Sequence, residues 1–451
     1  MTLSRRRWLA SVSLGLTAGS IGCGTERAAD APGPAGPASL RRADGAVDWQ
    51  AVRDLFPLSR DWVHLASFLL VSHPRPVADA IDRFRQKIDA DPAWLEQAAF
   101  SDTEGRPFVA VKRALADYLG AAPEEVCATA NTTTGLALVY HGLRIRRNQR
   151  ILTTEHDHYS QHESIRYAAA RSGCGVDSIP LYDQAATANA GEMVARLETA
   201  IGPTTRAVGL TWVHSSTGVK LPIAAMAEAV ARANRGRTSA DRCLLIVDGV
   251  HGFGNQDVNV AELGCDFFAT GLHKWLFAPR GTGVVWGRRD AWPEVAPTIP
   301  TFDPDAPQTW EAWMTRQPLP PTEASFVSPG GFIAFEHLLA VPAAVELHRT
   351  IGRGRIAARI AELNAAFREE AAKIAGLTLH TPRDPHLSGG MSCFEVAGVP
   401  AHDVAVRLAE RRIRTNSSPY RASYARVAAG VMNSPEDIDA VLQELRTLAA
   451  S

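Results

Sequence analysis

Short apolar runs recur along this chain, separated by longer stretches with helical spacing. Val126–Ala130, Arg150–Thr154, Arg206–Val213 and Leu244–Val247 have strand length, and continuous apolar runs of that length suit strands buried on both faces. Thr282–Gly287 reads as a returning strand, hairpin-paired with the run before Lys274. Helical spacing follows over Leu136–Leu143 and over the long stretch Ala340–Ile374. Beyond it come the strand Gly390–Val396, the helix His402–Glu410, the strand Arg412–Thr415 and a final helix opening near Ser434-Pro435-Glu436. Strands alternating with helices predict an α/β fold rather than all-α or all-β. Trp292–Pro321, rich in Pro and Trp, has little periodicity and reads as an inserted loop over a site or a subunit contact.

Composition narrows this picture. The 451 residues are 46% hydrophobic and 21% charged, enough for a large core, and no internal repeat is visible. A formal net charge of −1 leaves no electrostatic footprint for nucleic acid. At the N-terminus, Ser4-Arg5-Arg6-Arg7-Trp8-Leu9 precedes the weakly apolar run Ala10–Gly22, which is short of the ~20 residues that span a bilayer. This reads as a twin-arginine export signal, with an ordinary secretory signal or a basic tail as alternatives. Cys23 stands where a lipid-modified cysteine would, and Ala28–Ser39 has the composition of a spacer. Cleavage near Ala29-Asp30-Ala31 to a soluble product stays equally open. Cys127, Cys174, Cys243, Cys265 and Cys393 have no metal spacing, and Cys127, Cys243 and Cys265 fall in or beside apolar runs as small buried hydrophobes.

The candidate chemistry lies in Cys243–Gly287. Asp248 ends an apolar strand, where a ligand-facing residue at the carboxyl end of a parallel strand belongs. Lys274 sits between His273 and Trp275, after Thr270-Gly271. Desolvation there lowers an ammonium's pKa and makes the amine a Schiff-base nucleophile. Pyridoxal phosphate needs a lysine to hold it as an imine and an acid to keep its ring nitrogen protonated. Lys274 and Asp248 fit those two roles. Asn131-Thr132-Thr133-Thr134-Gly135 opens a helix and suits a phosphate, though Thr is equally at home as a plain cap.

DGVHGFG followed by TGLHKW resembles the fold-type I pyridoxal phosphate enzymes of the class V aminotransferase group, which includes cysteine desulfurases, isopenicillin N epimerase-like proteins and C–S lyases. The resemblance runs from about Leu65 to the C-terminus. It implies a large domain with a mostly parallel seven-stranded sheet, a smaller α+β C-terminal domain and a homodimer with shared sites. The implied division is 1–45 signal and linker, 46–90 a segment packing with the small domain, 91–300 the cofactor domain, 301–335 inserted loop and crossover, and 336–451 the small domain. It implies Thr132, Thr133 and Thr270 toward the cofactor phosphate, His156 over the ring, Ser215 and His251 near the phenolic oxygen, His273 beside the cofactor lysine and Arg426 on a substrate carboxylate. Arg421 and Arg414 are substitutes for that last role. Ser328-Pro329-Gly330-Gly331 matches the loop sent into a neighbouring subunit's phosphate cup. His158 and His162 have the spacing of a zinc pair but no convincing third ligand, so no metal is expected. Where desulfurases carry a nucleophilic cysteine, this chain reads Asn416-Ser417-Ser418-Pro419, which argues against a persulfide mechanism. The expected activity is therefore at the α-carbon of an amino acid, with transamination first because it needs no further catalytic group. Epimerisation and C–S or β-elimination are the rivals, and a non-catalytic cofactor-binding protein of the cell envelope is the alternative of another class.

Overall fold

The strands Leu244–Asp248, Phe267–Gly271 and Thr205–Thr211 are buried along their whole length, and their side chains divide between two cores. Leu245, Val247, Phe268, Leu152 and Val208 pack into one core, whereas Leu244, Ile246, Phe267, Ile151 and Ala207 pack into the other. Successive residues of a strand point to opposite faces, so this division is the signature of a sheet covered on both sides. The computed structural model describes residues 40–100 and 106–450. The twin-arginine segment, Cys23 and the Ala/Pro/Gly spacer lie outside the described residues.

The main sheet has seven strands, in the order Val126–Thr129, Gly283–Gly287, Phe267–Gly271, Leu244–Asp248, Thr205–Thr211, Arg150–Thr154, Gly175–Ile179. Neighbours pair in parallel except at Gly283–Gly287, which runs against both of its partners. The expected mostly parallel seven-stranded sheet and the hairpin around the lysine are both present. A second, antiparallel sheet joins Asn416–Ser417, Ala425–Val427, Ser392–Val396 and Leu377–Leu379. The helices Arg353–Ala371 and Pro435–Ala449 contribute Phe367 and Val441 to the core that holds Phe394 of this sheet. Val63–His64 pairs in parallel with Ile413–Arg414, which ties the early part of the chain to its C-terminal part. Leu40–Ser451 forms one compact unit.

Two stretches differ from the sequence reading. Ala340–Ile374 is two helices, Val341–Ile351 and Arg353–Ala371, broken at Gly352 with a φ of 100° that glycine adopts without strain. Trp292–Pro321 contains the nine-residue helix Pro307–Thr315. Its two tryptophans, Trp310 and Trp313, are exposed, so no apolar stripe toward the core marks it in the sequence. No described helix is long and apolar enough to cross a membrane.

The turn Asn131–Thr134 is fixed from two sides. Asn131 caps the helix Thr132–Gly142, its Oδ1 accepting from the Thr134 backbone N–H at 2.9 Å and from the Thr134 hydroxyl at 3.2 Å. Below it, a Cβ on Gly283 would stand 2.7 Å from the Asn131 nitrogen and 2.8 Å from its Cα. Both contacts are backbone and cannot swing aside. Gly283→Ala is therefore expected to cost about 1–3 kcal/mol as an overpacked core position. Urea unfolding checks this, and a midpoint equal to wild type would contradict the close approach.

Candidate active site

Asp248, Lys274 and Arg426 meet at one cavity of about 210 Å³ at the carboxyl ends of the parallel strands. Asp248, the last residue of its strand, is 1% exposed. Its Oδ1 accepts the Val250 backbone N–H at 3.0 Å, and Oδ2 has no donor among the described residues. Burial pushes its carboxyl up to about 6 against the Val250 bond and the nearby Lys274, so it is ionised at neutral pH and above. Lys274 follows the strand Phe267–Gly271. Burial brings its amine down to about 8, Asp248 opposing and Arg426 reinforcing the shift. Its Nζ lies 3.3 Å from His251 Nε2. Burial, with Lys274 beside it, holds His251 well below the ordinary range, so the imidazole is neutral, and Nε2 accepts from Lys274 when the latter is an ammonium.

A niche suited to an anion adjoins these groups. Asn131, Thr132 and Thr133 line the cavity at the N-terminus of the helix Thr132–Gly142. Thr132 Oγ1 is buried without a hydrogen-bond partner among the described residues. An anion there would meet free backbone N–H groups, the helix dipole and this unpaired hydroxyl. His273 also lines the cavity, with burial lowering it to about 4 and its buried Nδ1 unpartnered. The residues therefore fit pyridoxal phosphate: an amine of lowered pKa, a carboxylate oxygen free for a ring N–H, and an anion niche.

Arg426, 5% exposed, enters from the strand Ala425–Val427 over the Phe68 ring, 4.3 Å from its centroid. Its Nε and Nη2 both donate to Asn416 Oδ1, at 3.1 and 2.9 Å, and Nη2 also to the Ser417 carbonyl at 3.2 Å. Nη1 donates to the Ser215 carbonyl at 2.9 Å. Of the five N–H bonds of a guanidinium, a single Nη1–H is left for a ligand. The fork that a guanidinium can offer a carboxylate is thus occupied by Asn416, which faces Arg426 across the antiparallel pair. Ser215 lines the cavity, and its hydroxyl is bonded to Tyr420 Oη at 2.6 Å.

Two expected site residues lie elsewhere. His156 is off the cavity, stacked on Tyr182 with centroids 3.8 Å apart and planes at 8°, and its Nε2 accepts the Leu181 N–H at 3.1 Å. Burial lowers it to about 3. His158 stands on the cavity wall instead, because the helix Tyr159–Ser172 begins there and uses His158 as its N-cap. Thr270 is fully buried in its strand, its hydroxyl donating to the Gly271 carbonyl at 3.1 Å, and it does not line the cavity. The pair His158 and His162 holds no metal geometry: His162 Nε2 is bonded to the Thr154 carbonyl at 2.7 Å, and no metal-ligating cluster occurs among the described residues. The five described cysteines are free and buried, and none lines the cavity. Phe68, Leu69, Ser160, Thr211, Val250 and Pro419 also line the cavity. Phe68, Leu69 and Pro419 come from segments far apart in sequence and carried no motif by which to find them.

The family model for aminotransferase class V matches residues 72–441. The chain belongs to this family. It is 28% identical over 422 residues to isopenicillin N epimerase of Streptomyces clavuligerus, covering 89% of this chain and 98% of that protein. A probable cysteine desulfurase of Xylella fastidiosa is 26% identical over 370 residues, 80% of this chain and 83% of the other. Among solved structures, a C-DES mutant with glycine covalently linked to its PLP cofactor superposes with a TM-score of 0.75 at 21% identity, covering 87% of this chain and 98% of that one. That likeness establishes the shared fold.

The electrostatics make a direct prediction. Acetylation of Lys274 by acetic anhydride, followed by mass spectrometry on cofactor-free protein, should rise with a midpoint near pH 8. An exposed lysine titrates near ~10.4. Asp248→Asn should move the midpoint lower, since the carboxylate is the group that raises it. The sign for stability follows: between those two values the unfolded chain binds more protons at this lysine, so its contribution to stability improves as pH rises through that window. A midpoint in the ordinary lysine range would contradict the desolvated site.

Proposed function

We propose that this chain is a pyridoxal phosphate enzyme that takes the α-proton from an amino acid, with Lys274 as the base, and transfers the amino group. The observation that supports it is the lowered amine of Lys274 sharing one cavity with Asp248 and Arg426. Pyridoxal phosphate is the cofactor of the class V family. When bound, it supplies an electron sink that acidifies the substrate's α-C–H. Lys274 is the residue that would join its aldehyde, Asp248 would hold the ring nitrogen's proton, and Asn131, Thr132 and Thr133 would take the phosphate.

The chain's own groups then account for the proton. The Lys274 amine, brought down to about 8, is mostly protonated below that pH and mostly free above it, and its Nζ lies 3.3 Å from His251 Nε2. Arg426 offers a positive charge and one N–H to the carboxylate, which selects amino acids over simple amines. The three imidazoles on the wall, His158, His251 and His273, are all weakened as bases by burial, which leaves Lys274 as the base. A single base is sufficient for amino-group transfer.

Epimerisation is the second reading, favoured by the similarity to isopenicillin N epimerase over nearly all of that protein's length. It requires proton delivery to the opposite face of the α-carbon. Incubating the holoenzyme with amino acids in deuterated water, with and without a 2-oxo acid acceptor, separates the outcomes. Transfer gives one oxo acid per site without acceptor and continuous turnover with it. Inverted, deuterated amino acid without oxo acid would establish epimerisation, and continuous release of ammonia or a sulfur product would establish a lyase. Lys274→Ala should abolish borohydride-trapped cofactor and α-exchange together. Asp248→Asn should bind cofactor but turn over at least ~10²-fold more slowly, as for loss of a preorganised electrostatic partner.

We also propose export by the twin-arginine route, on Arg5-Arg6 ahead of Ala10–Gly22. Replacing both arginines by lysine should hold the precursor in the cytoplasm on cell fractionation, and unchanged export would sink the idea.

A further inference from the structure

The loop that carries Lys274 folds back on itself. Leu272 leaves the strand Phe267–Gly271 with its N–H donating to the Thr282 carbonyl at 3.0 Å, and its own carbonyl accepts the Ala278 N–H at 3.1 Å. Lys274 stands inside this closure, and the Phe277 N–H donates to the Lys274 carbonyl at 3.2 Å. At the point of return Phe277 has a φ of 61°. A bulky side chain rarely tolerates that left-handed backbone, which persists only where the surroundings impose it. Arg316 and Arg412, the other non-glycine residues with positive φ among the described residues, are exposed just beyond the ends of helices, where such a backbone is common. Phe277 is buried and lies at no helix end.

Two sets of contacts impose it. The Phe277 ring packs against Phe56, edge-on with centroids 5.3 Å apart, and against His348 at 4.8 Å. His348 is itself fixed, its Nδ1 lying 3.0 Å from Tyr118 Oη. Phe56, His348 and Tyr118 are all buried and belong to segments remote from the lysine in sequence. A ring held this way cannot swing to let the backbone return to negative φ. The backbone of the same loop abuts Gly254, where a Cβ would stand 2.6 Å from the Trp275 carbonyl carbon and 2.7 Å from the Leu276 nitrogen. The loop therefore has no slack toward the stretch that follows His251. We propose that Phe277 is a positioning residue for Lys274: its left-handed backbone, locked by Phe56 and His348, closes the loop that holds the amine in the cavity beside Asp248, His251 and Arg426. Relaxing that one torsion opens the return of the loop and lets water reach the amine. This rests on the reading of Lys274 as the reacting amine.

The test separates the backbone from the ring. Phe277→Gly and Phe277→Ala remove the same aromatic contacts, but only glycine adopts a positive φ freely. Acetylation of Lys274 is followed against pH in the full chain freed of cofactor. Lys112 serves as an internal reference, because its ammonium is buried against Asp303 and reacts only if the fold opens. Phe277→Gly should keep the Lys274 midpoint within about 0.3 pH units of wild type, since glycine retains the turn. Phe277→Ala should raise it by about 1 unit or more, toward the ~10.4 of an exposed lysine, with Lys112 still protected. Equal midpoints in the two variants overturn the proposal. If Lys112 becomes reactive as well, the variant has lost its fold, and Phe56→Leu decides. That change withdraws the edge-on contact and keeps an apolar side chain beside Phe277. A raised Lys274 midpoint in Phe56→Leu supports the role of Phe277, and an unchanged one overturns it. A wild-type midpoint already in the ordinary lysine range would remove the reading of Lys274 itself, and this role with it.

Discussion

Desolvation of one lysine is the constraint on which the rest of the site depends. Burial favours the neutral amine of Lys274, and the buried carboxylate of Asp248 favours the ammonium. The balance leaves the amine near the pH at which it can act both as nucleophile and as base. Each group is costly to bury alone, since an unpaired charge in a low-dielectric cavity is strongly disfavoured. Together they are tolerable, and their opposition is retained only because the sheet holds both at its carboxyl edge. Leu244–Asp248 and Phe267–Gly271 are hydrogen-bonded neighbours, so backbone pairing fixes the spacing between the strand ends that bear the acid and the lysine.

The surrounding architecture supplies what this pair lacks. The hairpin partner Gly283–Gly287 brings a glycine under Asn131, which lets the anion niche sit against the same sheet edge. Phe68, from the N-terminal segment, lies under the Arg426 guanidinium, while Asn416 occupies its fork from the neighbouring strand. The arginine is thereby held rigid, with most of its donors satisfied inside the protein. A ligand meets a positive charge already oriented, at the expense of the two-point grip that a free guanidinium would give.

Much of this was legible in the sequence, and the limits of legibility have physical causes. Asp248 and Lys274 could be read because each role depends on local context: an acid ending an apolar strand and a lysine among bulky and small neighbours. The parallel sheet was readable from its continuous apolar runs. The position of His156 off the cavity was not legible, because it depends on which residue begins the next helix, and a histidine N-cap has no strong sequence signature. Thr270 lay close to Lys274 in sequence, yet strand geometry buries its hydroxyl against its own backbone. The engaged fork of Arg426 was invisible because Asn416 reaches it only through strand pairing. The break at Gly352 needed the backbone angle, since helical spacing continues on either side of it.

The central claim is that the Lys274 amine itself moves the α-proton. Chemical rescue tests it most directly: Lys274→Ala holoenzyme, an amino acid in deuterated water, and a series of small primary amines of graded basicity. The account predicts no α-deuteration without added amine. With amine present, exchange should return at a rate that rises with the amine's basicity and saturates as the vacated space fills. Exchange by the variant at the wild-type rate without any amine would contradict it, and would assign the proton to another group on the cavity wall.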